Sequence, residues 1–260
     1  MDYREYIDKL QSEVDILKRI ERFEDVKDHI YIRLMNPLIN KKVIEHLESV
    51  PFLDLAVTFV LDLKPGASAM KSADKAGKKL PDKADSSKNK AASGKKCLIR
   101  VTENLAEAWG VSGAQLLETA LENERRSTRF VSEELIDTLM RMCSGEPKII
   151  DELNKMEAEN KGPDRLVIYA LYEERFMNGS VALMRNEVLR KMAEKAGGDI
   201  LIIPSSVNEL IYIADGPDVD LTWLRSVVED VNDTVVPDNE ILSYSVYRYS
   251  VKNDCVSVAA

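Results

Sequence analysis

One stretch of this sequence holds the makings of a reactive site: Pro204-Ser205-Ser206-Val207-Asn208-Glu209. Ser205 or Ser206 would act there as nucleophile or as a hydroxyl anchor for substrate, with Glu209 as base or orienting group. A serine nucleophile needs an adjacent base, most often His or Lys, and a pair of donors for the oxyanion. The two histidines, His29 and His46, lie in the other half of the chain, and Asn208 takes up no proton. The Gly-x-Ser-x-Gly elbow is missing as well. A strand that runs out into Pro-Ser-Ser also sets two hydroxyls where they bond the amides of a turn. Ser205, Ser206 and Glu209 are therefore catalytic candidates whose residue types speak more strongly for shaping backbone.

Other chemistry is thinner. Asp215, Asp218 and Asp220 alternate like half of a calcium loop, but the glycine and the distal glutamate of such a loop are out of register. A turn followed by a capped helix accounts for them better. Cys97, Cys143 and Cys255 form no Cys-x-x-Cys pair, and with two histidines they make no zinc set. A phosphate-binding loop, a dinucleotide fingerprint and a metalloprotease helix are all missing, so no metal-ligating or cofactor-binding residue is assigned. Trp109 and Trp223 fall in helical patterns and read as core anchors. Tyr244, Tyr247 and Tyr249 with Arg248 read as a half-buried strand.

The elements that must position the Pro-Ser-Ser stretch follow from periodicity. Apolar residues at 3, 6, 7, 10, 14, 17 and 20 predict an amphipathic N-terminal helix within residues 1–25. Residues 29–34 alternate as a strand, 40–47 suggest a short helix, and 53–63 form a strongly apolar strand with 97–101 as its hairpin partner. Thr102 caps a helix ending at Gly110, and Ser112 with Gln115 forms a capping box for the next. A third helix is expected to begin near Ser132. Residues 143–164 read as a linker, with helix within 149–160. Strands are then expected at 166–172, 180–184, 200–203 (central), 209–214, 244–251 and 255–258, with one helix turning Val188, Leu189, Met192 and Ala196 inward before the Gly197-Gly198 stop and another capped by Asp218 or Asp220. Grouped strands and helices with hairpins indicate α+β: two subdomains, 26–142 and 165–260, with mixed and largely antiparallel sheets.

Charge adds one feature. The chain has 36 Lys and Arg against 45 Asp and Glu, a formal net charge of −9, which argues against broad binding to nucleic acid or anionic membrane. Residues 64–96 reverse the sign with ten Lys and three Asp, and they contain almost no large apolar side chain. Such a segment cannot offset its ordering entropy by burial and reads as a disordered insertion. A nucleic-acid tether is the sharper reading, but the segment has neither arginine nor an aromatic residue to stack on bases. No secretory signal opens the chain, and its longest apolar run is too short to span a bilayer. The expectation is a cytoplasmic protein.

Several motifs resemble one known family. They are Val26-Lys27-Asp28 with Arg33-Leu34 and Asn36, then Val50-Pro51-Phe52-Leu53-Asp54-Leu55-Ala56-Val57, and Trp109-Gly110-Val111 with Glu122-Asn123. The second half is closer still, with Ile203-Pro204-Ser205-Ser206-Val207, residues 227–235, and Leu242-Ser243 leading to Val246-Tyr247-Arg248-Tyr249. The family is an uncharacterised bacterial one, a domain of unknown function abundant in anaerobic gut Firmicutes. The resemblance therefore implies a fold and no mechanism. Two positions depart from its pattern: Asn208 stands where a histidine is usual, and Glu124-Arg125-Arg126-Ser127-Thr128 replaces a Thr-Pro run. The sequence thus points to a non-enzymatic interaction or regulatory module. A hydrolase acting through Pro204–Glu209 is the alternative, followed by a protein that contacts phosphates through residues 64–96.

Overall fold

Strands whose side chains alternate between core and surface carry the architecture. The computed structural model describes residues 20–63, 97–162, 165–174 and 178–260. The helix expected over 3–20, the insertion at 64–96 and part of the turn at 175–179 therefore lie outside the described residues, apart from their edges.

Strands β1 (Ile30–Met35), β2 (Ser49–Phe52), β3 (Leu55–Leu63) and β4 (Cys97–Arg100) form one sheet, with β3 paired to each of the others. Phe52 opposes Leu55, which leaves Leu53 and Asp54 to make the hairpin turn. Leu53 sits there at φ +55, a left-handed value uncommon for a residue with a Cβ. β3 and β4 pair antiparallel, Leu63 opposite Cys97, as the hairpin reading required.

The second sheet has six strands: β5 (Phe130–Glu134), β6 (Tyr169–Glu173), β7 (Ile200–Ile203), β8 (Glu209–Ala214), β9 (Tyr247–Ser250) and β10 (Cys255–Val258). Their order is β10-β9-β7-β8-β6-β5, and every neighbouring pair is antiparallel. The fold is α+β with largely antiparallel sheets. By contacts the chain divides into two units. Among the described residues one holds 20–32, 46–48 and 59–126, and the other holds 33–45, 49–58 and 127–260.

In the first unit the predicted caps are in place. Thr102 Oγ1 accepts the Leu105 amide at 3.2 Å, and helix α1 (Glu103–Trp109) stops at Gly110 with φ +67. The Trp109 indole donates to the Ile20 carbonyl at 2.8 Å. Ser112 and Gln115 bond each other's amides ahead of α2 (Gly113–Ser127). With no proline at 124–128, α2 continues through Ser127, which brings buried Asn123 and Glu124 onto β1. Asn123 Nδ2 donates to the Lys27 and Ile30 carbonyls, and the Ile32 amide donates to Glu124.

The second unit adds α3 (Leu135–Met142), α4 (Pro147–Glu159), α5 (Asn186–Ala196) and α6 (Leu221–Thr234). Strand β7 is interior, as its continuous apolar run implied. Helices α5 and α6 cover opposite faces. Lys195 of α5 reaches over Tyr169, whose ring stacks on Tyr212 at 4.8 Å. On the other face Leu201, Ile213 and Val246 pack with Leu224 and Val228 of α6. Asp220 caps α6 by accepting the Thr222 and Trp223 amides at 2.9 and 3.1 Å.

Four expectations need correction. Ser132–Glu134 extend β5 instead of opening α3, because they complete its ladder to Tyr169–Leu171; the helix starts at Leu135. Strand β6 begins at Tyr169, not 166, so Leu166 is left exposed. Residues 180–184 form a 3₁₀ turn, Gly179–Met184, buried from Gly179 through Leu183. A short run apolar on all sides does not distinguish strand from buried turn by periodicity. Trp223, expected in the core, is 62% exposed.

Candidate functional site

Pro204 ends β7, and the chain turns back into β8 within five residues. Four successive amides of that turn are committed to protein acceptors. Ser205 N–H donates to Ile203 O (3.0 Å), Ser206 N–H to Glu209 O (3.2 Å), Val207 N–H to Glu240 O (3.0 Å) and Asn208 N–H to Ser206 Oγ (3.0 Å). The structure does bring Ser205 and Glu209 together, the Ser205 hydroxyl donating to Glu209 Oε1 at 2.9 Å. Ser206 is buried and serves the Asn208 amide. From the other side the turn accepts the Gly179 amide on Asn208 O (3.0 Å) and the Ser180 amide on Val207 O (3.3 Å).

Beside this turn the surface opens into an apolar groove. A cavity of about 220 Å³ lies between the sheet and α6, with Ile203, Ile211 and Ile213 on the sheet side and Trp223, Val227 and Val231 on the helix side. Ser205 and Asn232 are the polar residues in its wall. Asn232 is buried and donates to the Ser243 carbonyl at 3.0 Å. A second cavity, about 290 Å³, continues between α3, α4 and residues 165–168, and Leu135, Leu166 and Ile168 wall both. Leu166 and Met156 on its edge are 51% and 61% exposed. No motif in the sequence marks the groove. Its trace lies in α6, where Leu221, Trp223, Leu224, Val227, Val228 and Val231 make an apolar face wider than one packed stripe requires.

Two polar clusters also escaped the sequence. On the β2–β3 turn, Asp54 accepts the hydroxyls of Ser243 (2.6 Å), Ser245 (3.0 Å) and Tyr247 (2.6 Å). These residues stand inside motifs already singled out, but nothing in a sequence shows that segments so far apart meet. On β5, Glu133 accepts from Tyr172 (2.5 Å), Thr138 (2.9 Å) and both terminal nitrogens of Arg141. The guanidinium beside it holds the Glu133 carboxyl down to about 2. A carboxylate whose pKa is lowered by folding stabilises the fold above its unfolded pKa, near 4.5 for this group. That contribution is lost as pH falls toward 2. Glu133→Gln is expected to flatten the acid limb of a urea-unfolding pH profile over this range. With Arg141 standing half in water, the loss should be about 1–2 kcal/mol.

The tyrosines of the closing strand are buried at 247 and 249, and Arg248 pairs with Asp215 at 2.5 Å. Asp220 is spent on its helix cap. Among the described residues no three His, Cys, Asp or Glu side chains gather as metal ligands do, and no helix is long and apolar enough to cross a membrane. Cys143 and Cys255 are free thiols.

The fold and the groove define an α+β protein with an open apolar cleft alongside a tightly bonded Pro-Ser-Ser turn. Residues 87–251 match the family of unknown function DUF5688, and the chain belongs to that family. The turn, the groove and the closing strand lie inside the matched stretch, and the motifs at 26–57 lie outside it. No curated protein and no solved structure matches the chain.

Proposed function

We propose that this chain is a non-enzymatic interaction module of the bacterial cytoplasm, taking an apolar partner in the groove between α6 and the sheet. One observation carries the reading: the Pro204–Glu209 turn spends its amides and serine hydroxyls on bonds within the protein, while the apolar wall beside it stands open to solvent. An acyl-transfer site needs donors aimed at a developing oxyanion, and the amides of Ser205 to Asn208 all have protein acceptors. Sizeable exposed apolar surface bordered by polar residues is a mark of binding sites.

The test uses the uncharged dye Nile red. Dye fluorescence should saturate at one equivalent on the native chain. Leu166→Lys and Val231→Lys, both at exposed wall positions, should each weaken binding by about tenfold, the worth of one aliphatic contact. Unchanged binding in both variants would overturn the groove reading. Because Ser205 does contact Glu209, the hydrolase reading is tested in parallel with a fluorophosphonate probe. The native chain should stay unlabelled; labelling abolished by Ser205→Ala would reverse the assignment.

A further inference from the structure

We infer that the groove receives a basic amphipathic helix from a different protein, a conclusion that rests on the groove being the working site. Its shape argues for a rod bearing side-chain anchors. The two cavities are neighbours separated by a shared wall of Leu135, Leu166 and Ile168, as pockets for successive anchors along one helix face would be. A small ligand in the first cavity would leave Met156 in water, and one in the second would leave Trp223, whereas an occupant spanning both would cover the two together. An exposed tryptophan such as Trp223, at the centre of a contact surface, is a frequent carrier of binding energy between proteins.

Charge sets the sign of the partner. Helices α3, α4 and α6, which flank the groove, carry Asp137, Asp151, Glu152, Glu157, Glu159, Glu229, Asp230 and Asp233 against Arg141, Lys148, Lys155 and Arg225. Arg141 is already engaged with Glu133 and Arg225 with Glu229. Glu134, Glu157 and Arg165 line the second cavity itself; Arg165 pairs with Glu134, which leaves Glu157, among the described residues, as its acidic wall group without an ion pair. A helix with lysine or arginine around its apolar stripe complements this rim, and rim charges govern partner choice and association rate. The chain does not supply such a helix from its own remaining segments. Residues 64–96 are basic but lack apolar anchors, and the amphipathic stretch 3–20 balances four basic against four acidic residues.

The experiment titrates the full chain with three labelled synthetic peptides, read by fluorescence anisotropy. One is a Leu/Lys helix with leucines at i, i+3, i+4 and i+7. The second is its composition-matched scramble, and the third replaces lysine with glutamate. The Leu/Lys helix should bind at micromolar concentration and at least about tenfold more tightly than either control. Leu166→Lys and Glu157→Lys should each weaken it by about tenfold, and added salt should slow association. Equal binding of the scramble, or indifference to Leu166→Lys, would overturn the inference. So would self-association of the chain, read by sedimentation and abolished by Leu166→Lys, which would make a second copy the occupant. If no peptide binds while Nile red still responds to Leu166→Lys, the helix inference fails alone; if neither responds, the groove reading fails with it.

Discussion

Gly179→Ala is expected to be among the most damaging single-methyl additions to this protein. A Cβ at position 179 would lie 2.2 Å from the Asn208 carbonyl oxygen and 3.1 Å from both the Asn208 carbonyl carbon and Tyr172 Cα. All three are backbone atoms, so no side chain can swing aside. Glycine is demanded here by close approach, since its φ lies outside the left-handed region. Relief requires parting the 3₁₀ turn from the Pro204–Glu209 turn, which breaks the Gly179 and Ser180 amide bonds to Asn208 and Val207. Overpacking costs about 1–3 kcal/mol and each lost hydrogen bond about 1 kcal/mol. A total near 3 kcal/mol corresponds to a fall in Tm of about 6–12 °C for a unit of this size. Gly198→Ala, where an added Cβ meets nothing within 4 Å, is the matched control and should leave Tm within a degree or two. Equal melting of the two variants would refute the packing argument. Since the same turn forms one wall of the groove, Gly179→Ala should also weaken Nile red binding.

Alkali should unfold this protein over a narrow pH interval. Tyr212 is 1% exposed and Tyr247 fully buried. Burial pushes the Tyr212 phenol up to about 12. Burial and the Asp54 carboxylate that accepts its proton raise Tyr247 as well. Tyr172 and Tyr249 are raised in the same direction. A phenol whose pKa is raised by folding keeps its proton in the native state while the unfolded chain loses it above about 10. The native state then binds more protons, so stability is full below pH 10 and falls as pH rises. Two such phenols remove about 2.7 kcal/mol per pH unit, or about 5 kcal/mol by pH 12, a large share of the 5–15 kcal/mol typical of a folded domain. Spectrophotometric titration should show buried tyrosines of the nine ionising only together with the loss of circular dichroism. Tyr247→Phe should make the alkaline slope shallower. Smooth, reversible titration of every tyrosine before unfolding would contradict this account.

How much of this was legible beforehand depends on the range of the interaction. Caps at Thr102 and Ser112 were readable, and the last was narrowed to Asp218 or Asp220, because each joins residues no more than three positions apart. Strands β8 and β10 were readable to the residue, since local alternation and turn residues bound them. The closeness of Ser205 and Glu209 followed from the shortness of their turn. What escaped reading depended on distant partners. Glu133 and Glu134 look like the first turn of a helix until β6 claims them as a strand. Trp223 looks like core until the wide apolar face of α6 proves to cover only part of its sheet. The groove arises where three helices leave that sheet face incompletely covered, which no local pattern encodes.

The hydroxyls that hold Asp54 lie 189 to 193 residues further along the chain. At translation rates of about 5–20 residues per second, the β2–β3 hairpin leaves the ribosome roughly 10–40 seconds ahead of them. Until Tyr247 emerges, Leu53 must hold its left-handed turn, or relax out of it, without the contacts that brace its neighbour. The Asp54 turn is therefore completed long after its own strands, and a chain truncated before residue 243 should keep the β2–β3 pairing but leave Asp54 without the three hydroxyls that hold it.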